Sequence, residues 1–292
     1  MGVLTTYISL AAKLTAKKRC GYTLAALSAV ITAGLFTLQV AAQPVSVPIP
    51  ARWQPAPDAK FDLQFSSPMQ LQRQVDFLVL DLADALPNEI DTIANNGAAP
   101  VCYFNGGSIN TEDTDFDLVE PLVIGRRLNT DPQERWLDIR RIDDVAALIR
   151  SRLDLCRDKG FMGALVGNLE NFLFRSGFPI GQRQQLAFNQ FIADEAHQRG
   201  LAIGLWNSRS QITPLSSDYD FILVSGCFTD GWCNETQPFI DNGKPAFLVE
   251  FAEGQRSDVE FCQASQSFGA MGIIKRQVLD GWLRLCPPPD IN

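Results

Sequence analysis

The chain has 292 residues, of which 46% are hydrophobic and 20% are charged, and its formal net charge is −8. This composition is that of a globular protein, and the length allows one α/β barrel or two smaller domains. An acidic balance disfavours nucleic acid and anionic lipid as partners and favours polycations.

Residues 1–42 differ from the rest of the chain. They contain four basic residues and no acidic one, and residues 21–42 are almost all apolar or small. Because Val40-Ala41-Ala42 is typical of a cleavage site, we predict a secretory signal peptide at 1–42 and an extracellular or periplasmic protein. Its removal changes the net charge to −12. The alternative is an uncleaved N-terminal anchor, the one case in which we expect a membrane partner.

Six of the seven cysteines lie outside the predicted leader, and an even number in an exported protein predicts disulfides. They are Cys102, Cys156, Cys227, Cys233, Cys262 and Cys286. Cys227 and Cys233 are close enough in sequence to bridge a local loop. A bridge between Cys262 and Cys286 would tie down the C-terminus. Cys102 and Cys156 form either a third bridge or a pair of buried thiols. No metal site is expected, because the chain has no CxxC pair and a single histidine.

The middle of the chain alternates strand and helix patterns. Residues 43–60 are Pro-rich and predict an extended linker that leads into a domain at 61–292. The predicted strands are 61–65, 77–80, 99–104, 136–137, 163–166, 201–205, 221–224, 246–249 and 272–274. Amphipathic helices are predicted between them, for example at 143–158 and at 182–199, where Gly200 is a typical C-cap.

This alternation predicts an α/β protein with a single (β/α)8 TIM-like barrel. A doubly wound open sheet is the alternative. No glycine-rich phosphate loop follows any predicted strand, so we expect neither a nucleotide nor another cofactor.

In barrel enzymes, the residues that follow the parallel strands form the active site. The candidate substrate-binding residues at these positions are Asp81, Tyr103, Asp138, Asn168, Glu170, Trp206, Asn207 and Glu250. Carboxylates, amides and aromatic faces bind sugars, so a polysaccharide or oligosaccharide partner is predicted. Asp138 also has a structural interpretation, an ion pair with Arg135 or Arg140. The single histidine, His197, lies near the end of a predicted helix, which leaves a Ser-His-Asp arrangement without its base.

Several short motifs carry a family resemblance in their order and spacing over about residues 53–275. They include Trp53-Gln54-Pro55, Cys102-Tyr103, the segment 134–140 (ERWLDIR), Arg199-Gly200-Leu201 and Val249-Glu250-Phe251. Together they resemble glycoside hydrolase family 114, the secreted endo-α-1,4-polygalactosaminidase barrels.

The resemblance implies two catalytic acids, and both of their positions are substituted. The family pattern after Gly160-Phe161 is Asp-Gly-Val-Glu-Pro-Asp, and its last Asp, the implied catalytic acid, falls on Gly167. The second carboxylate, in the family pattern Asn-Glu-Gln-Cys, falls on Ser225. Neither glycine nor serine replaces a carboxyl group in acid–base or nucleophilic chemistry of this kind.

Three functional hypotheses follow from these substitutions. The favoured one is a secreted pseudoenzyme, catalytically inactive or re-purposed, that binds an extracellular polysaccharide; an amino-sugar polymer would suit the negative charge. The alternative is an active endo-acting α-1,4-galactosaminidic hydrolase that uses relocated carboxylates, with Asp81, Asp138, Glu170 and Glu250 as candidates. A second alternative is a secreted structural or interaction module that keeps only the fold. Whether the chain is an enzyme stays open in this interpretation.

Overall fold

The structure is a computed structural model that describes residues 52–254 and 257–288. The predicted leader, 1–42, and the first part of the predicted linker, 43–51, lie outside the described residues. In the part of the chain that is described, no helix is both long enough and apolar enough to cross a membrane.

Twelve strands in the described residues form two sheets. In chain order they are β1 (Phe61–Gln64), β2 (Phe77–Asp81), β3 (Ala99–Asn105), β4 (Ser108–Asn110), β5 (Ile124–Arg127), β6 (Glu134–Leu137), β7 (Gly163–Gly167), β8 (Ala202–Trp206), β9 (Phe221–Ser225), β10 (Ala246–Phe251), β11 (Met271–Lys275) and β12 (Arg284–Leu285). The main sheet has the order β1-β2-β3-β7-β8-β9-β10-β11-β12, and all its pairings are parallel except that of β12. It is therefore an α/β barrel-like sheet with eight parallel strands.

Helices follow most of the parallel strands. They are α1 (Pro87–Asn95), α2 (Ile142–Lys159), α3 (Gln182–Gln198), α4 (Ile212–Leu215), α5 (Cys227–Asp230), α6 (Gln237–Asp241) and α7 (Asp258–Ser267). Short 3-10 helices lie at Phe116–Leu118, Pro121–Val123, Asn171–Leu173, Arg209–Gln211 and Cys233–Thr236. The long helix α2 ends at Gly160, whose φ of 94° is a left-handed conformation that glycine adopts at little cost.

The predicted strand at 136–137 does not belong to the main sheet, which corrects that assignment. It is part of β6, which pairs antiparallel with β4 and β5 in a separate three-stranded sheet. This small sheet is inserted between β3 and α2, after the carboxyl end of β3. The short apolar run could not distinguish the two sheets, because a buried antiparallel strand and a buried parallel strand have the same composition.

The inner side of the main sheet is packed with aromatic rings. Phe61 lies 4.9 Å from Phe247 between ring centroids, and Phe77 lies 4.9 Å from Phe247 and 6.0 Å from Phe221. Trp53 covers the amino ends of the strands, with its ring 5.6 Å from Phe77. The described part of the predicted linker thus packs on the sheet.

A buried ion pair links the first strand to the last parallel strand. Lys275 on β11 donates to the Asp62 carboxylate on β1 at 2.6 Å, and both side chains are fully buried. Lys275 also donates to the carbonyl of Asp280, and Gln64 donates to Asp62 at 2.7 Å. Each charge therefore has several hydrogen bonds to offset its removal from water.

Three disulfides are present in the described residues. Cys102–Cys156 joins β3 to α2, Cys227–Cys233 closes the loop after β9, and Cys262–Cys286 joins α7 to the C-terminal segment. The prediction of disulfides is confirmed, and the alternative of buried thiols for the first pair is wrong. The sequence left this pair open because its partners lie 54 residues apart.

Replacing Lys275 by methionine should destabilise the fold strongly, because the Asp62 carboxylate would stay buried without its ammonium partner. We expect Lys275→Met to lower the free energy of unfolding by about 3–5 kcal/mol. Arg157→Met is the control, since Arg157 pairs with Asp154 and Asp158 at the exposed surface. Urea unfolding measures both, and equal losses in the two variants would contradict the role given to the buried pair.

Candidate functional site

The carboxyl ends of the parallel strands bring the candidate residues to one edge of the main sheet. Asp81 ends β2 opposite Tyr103 of β3, and Asn105 ends β3 opposite Gly167 of β7. Ser225 ends β9, which is separated from β7 by β8. Trp206 and Glu250 lie at the same end of β8 and β10. In a parallel α/β sheet this edge is where ligand and catalytic sites form.

The space beside Gly167 is already occupied. A Cβ atom at this position would lie 2.3 Å from the Tyr103 hydroxyl oxygen and 2.8 Å from Asn105 Oδ1. The Tyr103 hydroxyl donates to the same Asn105 oxygen at 2.8 Å, which fixes the ring there. Any side chain at 167 therefore requires Tyr103 to move.

Aromatic neighbours hold the Tyr103 ring. The Phe65 ring stacks on it at 4.6 Å between centroids, and the Trp206 ring lies 5.1 Å away. Burial raises the pKa of the Tyr103 hydroxyl, and the nearby charges of Asp81 and Glu134 raise it further. Tyr103 is therefore neutral at physiological pH and does not replace a carboxylate in this position.

A hydrogen-bonded chain of side chains runs from Asn105 to Asn168 through Glu134. Asn105 Nδ2 donates to Glu134 Oε1 at 2.8 Å, and the Ser108 hydroxyl donates to the same oxygen at 2.5 Å. Asn168 Nδ2 donates to Ser108 Oγ at 2.6 Å. Burial raises the pKa of Glu134 against the opposing effect of its two hydrogen bonds.

Glu134 was not among the residues that the sequence singled out for the site. It lies on β6 of the inserted sheet, and only the fold brings it to the mouth of the main sheet. A signal was present, because Glu134 opens the ERWLDIR segment of the family resemblance.

An acidic cavity of about 400 Å³ lies beside this chain of hydrogen bonds. Its carboxylates are those of Asp81, Glu112, Asp113, Asp115 and Glu134. Its one cationic lining residue, Arg152, is bound to Asp113 at 2.7 Å and to Asp115 at 2.8 Å. Burial raises the pKa of Asp81, as do the charges of Asp84 and Asp113.

Three predicted acids are engaged elsewhere. Asp138 follows β6, and both its oxygens accept hydrogen bonds from Arg140 at 2.7 Å, the structural ion pair that the sequence allowed. Glu250 accepts from the backbone and hydroxyl of Thr229 at 3.2 and 3.1 Å. Burial raises the pKa of Glu170, whose carboxylate accepts backbone hydrogen bonds from the segment after β8.

Left-handed backbone occurs at the ends of two strands. Asn168 follows β7 with φ of 57°, and Asn207 and Ser208 follow β8 with φ of 53° and 57°. Asn207 Oδ1 accepts from the backbone N–H of Ser225 at 2.9 Å. Non-glycine residues in this conformation cluster at binding sites, where the surroundings hold the strain.

No group of His, Cys, Asp and Glu side chains suited to hold a metal ion occurs in residues 52–254 and 257–288. The acidic cavity is therefore described by its charges and hydrogen bonds alone.

Comparison with known proteins identifies the family of this chain. The profile of glycoside hydrolase family GH114 matches residues 43–288. The chain belongs to glycoside hydrolase family 114. No curated protein sequence gives a significant match.

Solved structures share the fold. The crystal structure of Aspergillus fumigatus Ega3 in complex with galactosamine has a TM-score of 0.73 and 25% sequence identity, and the match covers 81% of this chain and 98% of that chain. The glycoside hydrolase domain of PelA from Pseudomonas aeruginosa has a TM-score of 0.61 and 14% identity, covering 79% and 99% of the two chains.

The close fit of Tyr103 against Gly167 generates a test of the site geometry. We expect Gly167→Ala to lower the free energy of unfolding by about 1–3 kcal/mol, because the new methyl group overlaps the tyrosine hydroxyl. The same substitution in a Tyr103→Ala background should cost much less, since the overlapping ring is gone. A double-mutant cycle by urea unfolding measures the coupling, and additive losses within about 0.5 kcal/mol would refute the contact.

Proposed function

We propose that this chain is a secreted, non-catalytic member of its family that binds a cationic amino-sugar oligosaccharide in the acidic cavity. The observation that carries the proposal is the filled space at Gly167. The position that the resemblance assigns to a catalytic acid has no side chain, and Tyr103 stands in its place. A neutral phenol there gives the site an aromatic surface but no carboxylate.

The second implied acid position, Ser225, also has no carboxylate. The backbone N–H of Ser225 donates to Asn207 Oδ1, and Asn207 Nδ2 donates to the Ser225 hydroxyl at 3.4 Å. A serine in this place neither stabilises positive charge at a sugar ring nor transfers a proton as a carboxylic acid does. With both acids replaced, the activity that remains to such a site is mainly binding.

The chemistry of the cavity supports a cationic ligand. Five carboxylates and one arginine line it, and that arginine is already neutralised by two of the five. Protonated amines of an amino sugar complement this charge. The volume of the acidic cavity lies within the usual range for small-ligand sites. Ega3 crystallised with galactosamine, which makes this amino sugar the first ligand to test.

Two structural proposals accompany the function. We propose that the eight parallel strands close into a (β/α)8 barrel; the ion pair between Asp62 of β1 and Lys275 of β11 supports closure. The packing of Phe61 on Phe247 supports it too. Three disulfides support export to an oxidising compartment, with residues 1–42 as the signal peptide.

Binding of oligogalactosamine should depend on pH in a defined direction. Asp81 and Glu134 have pKa values above the ordinary 3.8 and 4.5, so both lose their charge at a higher pH than ordinary carboxyl groups. The amines of the ligand stay protonated on acidification. We therefore expect affinity to fall as the pH is lowered through this raised range. Isothermal titration calorimetry of the wild-type protein with oligogalactosamine from pH 7 to pH 4 measures this change in affinity.

Charge controls separate this proposal from non-specific binding. The fully N-acetylated oligomer, which has no charge, should bind at least about tenfold more weakly. Asp81→Asn should weaken binding of the amino form and flatten its pH dependence, whereas Asp131→Asn, on a loop outside the cavity lining, should not. If the two oligomers bind equally at every pH, the proposed ligand class is wrong. If no glycan binds, the interaction-module alternative gains support.

One observation favours a second candidate, an active hydrolase with relocated carboxylates. Asp81 and Glu134 line one cavity, both have raised pKa values, and the charges of both raise the pKa of Tyr103 in the same lining. A carboxyl group with a raised pKa is suited to act as general acid. Release of reducing ends from α-1,4-galactosamine polymer by the wild-type protein, abolished by Glu134→Gln, would establish this candidate and refute the non-catalytic one.

A further inference from the structure

A second cleft at the mouth of the sheet has the opposite charge. It measures about 660 Å³, and three exposed arginines line it: Arg126 and Arg127 of β5 and Arg175 of the loop after β7. Phe174, Trp136 and Asn168 line it as well. We call it the arginine cleft. Asn168 connects it to the Glu134 hydrogen bonds, so the cleft adjoins the candidate site.

The arginines of the cleft lack counterions. Among the described residues, most arginines form an ion pair with a carboxylate, whereas Arg126, Arg127 and Arg175 form none. Arg127 also lies directly opposite another arginine, Arg135, in the β5–β6 pairing. Like charges opposite one another destabilise a sheet, so packing alone does not account for this group. In a chain with a net charge of −8, their concentration in one cleft points to an anionic ligand.

The backbone is built to bring these charges together. The N–H of Arg126 donates to the carbonyl of Ser176 at 2.7 Å, which places Arg175 beside β5. This approach requires glycine at 125, because a Cβ atom there would lie 2.2 Å from the Ser176 oxygen. On the other side, Gly177 adopts φ of 101° next to the Arg126 backbone. The backbone contact between Arg126 and Ser176 depends on these two glycines, and the overall composition of the chain does not account for it.

The cleft also has an apolar platform. The ring of Phe174 stacks on Trp136 with 4.8 Å between centroids and an interplanar angle of 18°. Phe174 is 53% exposed and its neighbour Leu173 is 58% exposed, so both present carbon surface to a ligand. An exposed aromatic face beside polar groups is the arrangement that binds a sugar ring.

We propose that the arginine cleft binds an anionic saccharide, with a sugar ring on Phe174 and its acidic group between the guanidinium groups. Guanidinium forks match carboxylate and sulfate oxygens in bidentate geometry, which a neutral or cationic sugar does not provide. Nucleic acid is the less favoured ligand, because the large negative charge of the whole chain opposes a long polyanion. This site is independent of amino-sugar binding in the acidic cavity.

The probes are a galacturonate trimer, a sulfate-ester trisaccharide, a neutral galactose trimer and an oligothymidylate of ten nucleotides. Isothermal titration at 50 and 150 mM salt should show binding of the uronate, the sulfate ester or both, and each result identifies the acidic group. The affinity should fall at the higher salt, since exposed charges are screened. The neutral trimer should bind at least about tenfold more weakly. Binding of oligothymidylate alone would overturn the proposal.

Variants locate the binding in the cleft. Each of Arg126→Gln, Arg127→Gln and Arg175→Gln should weaken the affinity for the anionic trimer about three- to tenfold, and the triple variant at least about thirtyfold. Phe174→Ala should weaken it about threefold or more. Arg183→Gln on α3 is the matched control, because Arg183 is exposed, has no ion pair among the described residues and does not line the cleft.

Two further results would overturn the proposal. They are wild-type affinity in the triple variant and an equal loss in Arg183→Gln. Thermal unfolding of each variant confirms that it is folded. Asp81→Asn separates this site from the proposed function, since it should weaken oligogalactosamine binding and leave the anionic trimer unaffected.

Discussion

The Tyr103 hydroxyl fills the space that a Cβ atom at position 167 would need, and this packing determines the character of the whole site. The ring packs against both Phe65 and Trp206, and its hydroxyl donates to Asn105. No Cβ fits beside it, so glycine and tyrosine at these two positions depend on each other. A carboxylate side chain at 167 would therefore need Tyr103 to move, because the space that it requires is already filled.

The mouth of the sheet is divided electrostatically by one hydrogen-bonded chain. Asn105, Glu134, Ser108 and Asn168 run from the acidic cavity on one side to the arginine cleft on the other. Each residue in this chain is hydrogen-bonded to the next, which holds the four side chains together in a partly buried region. A rigid boundary of this kind lets opposite charges lie close together without forming ion pairs across it.

Much of the fold was accessible from the sequence because it depends on periodic patterns. Apolar runs that end in polar residues located the eight parallel strands, and the even cysteine count indicated the disulfides. The inserted sheet β4–β6 was not accessible, since the run at 136–137 has the composition of either kind of strand. The position of Glu134 depends on that insertion, and the sequence consequently singled out Asp138 of the same segment, which forms an ion pair with Arg140, but not Glu134.

The substitutions at the site were visible in the sequence, whereas the side chains that surround them were not. Gly167 and Ser225 are read directly against the family pattern, but the side chain that fills the space beside Gly167 comes from β3, more than sixty residues earlier. Likewise, no motif identifies three arginines as unpaired, because pairing depends on which acids the fold brings near them. A substitution at a family position is thus a local property of the chain. The charges at the mouth of the sheet are a property of the assembled strands, and they can be inferred only once β3, β5 and β7 are placed together.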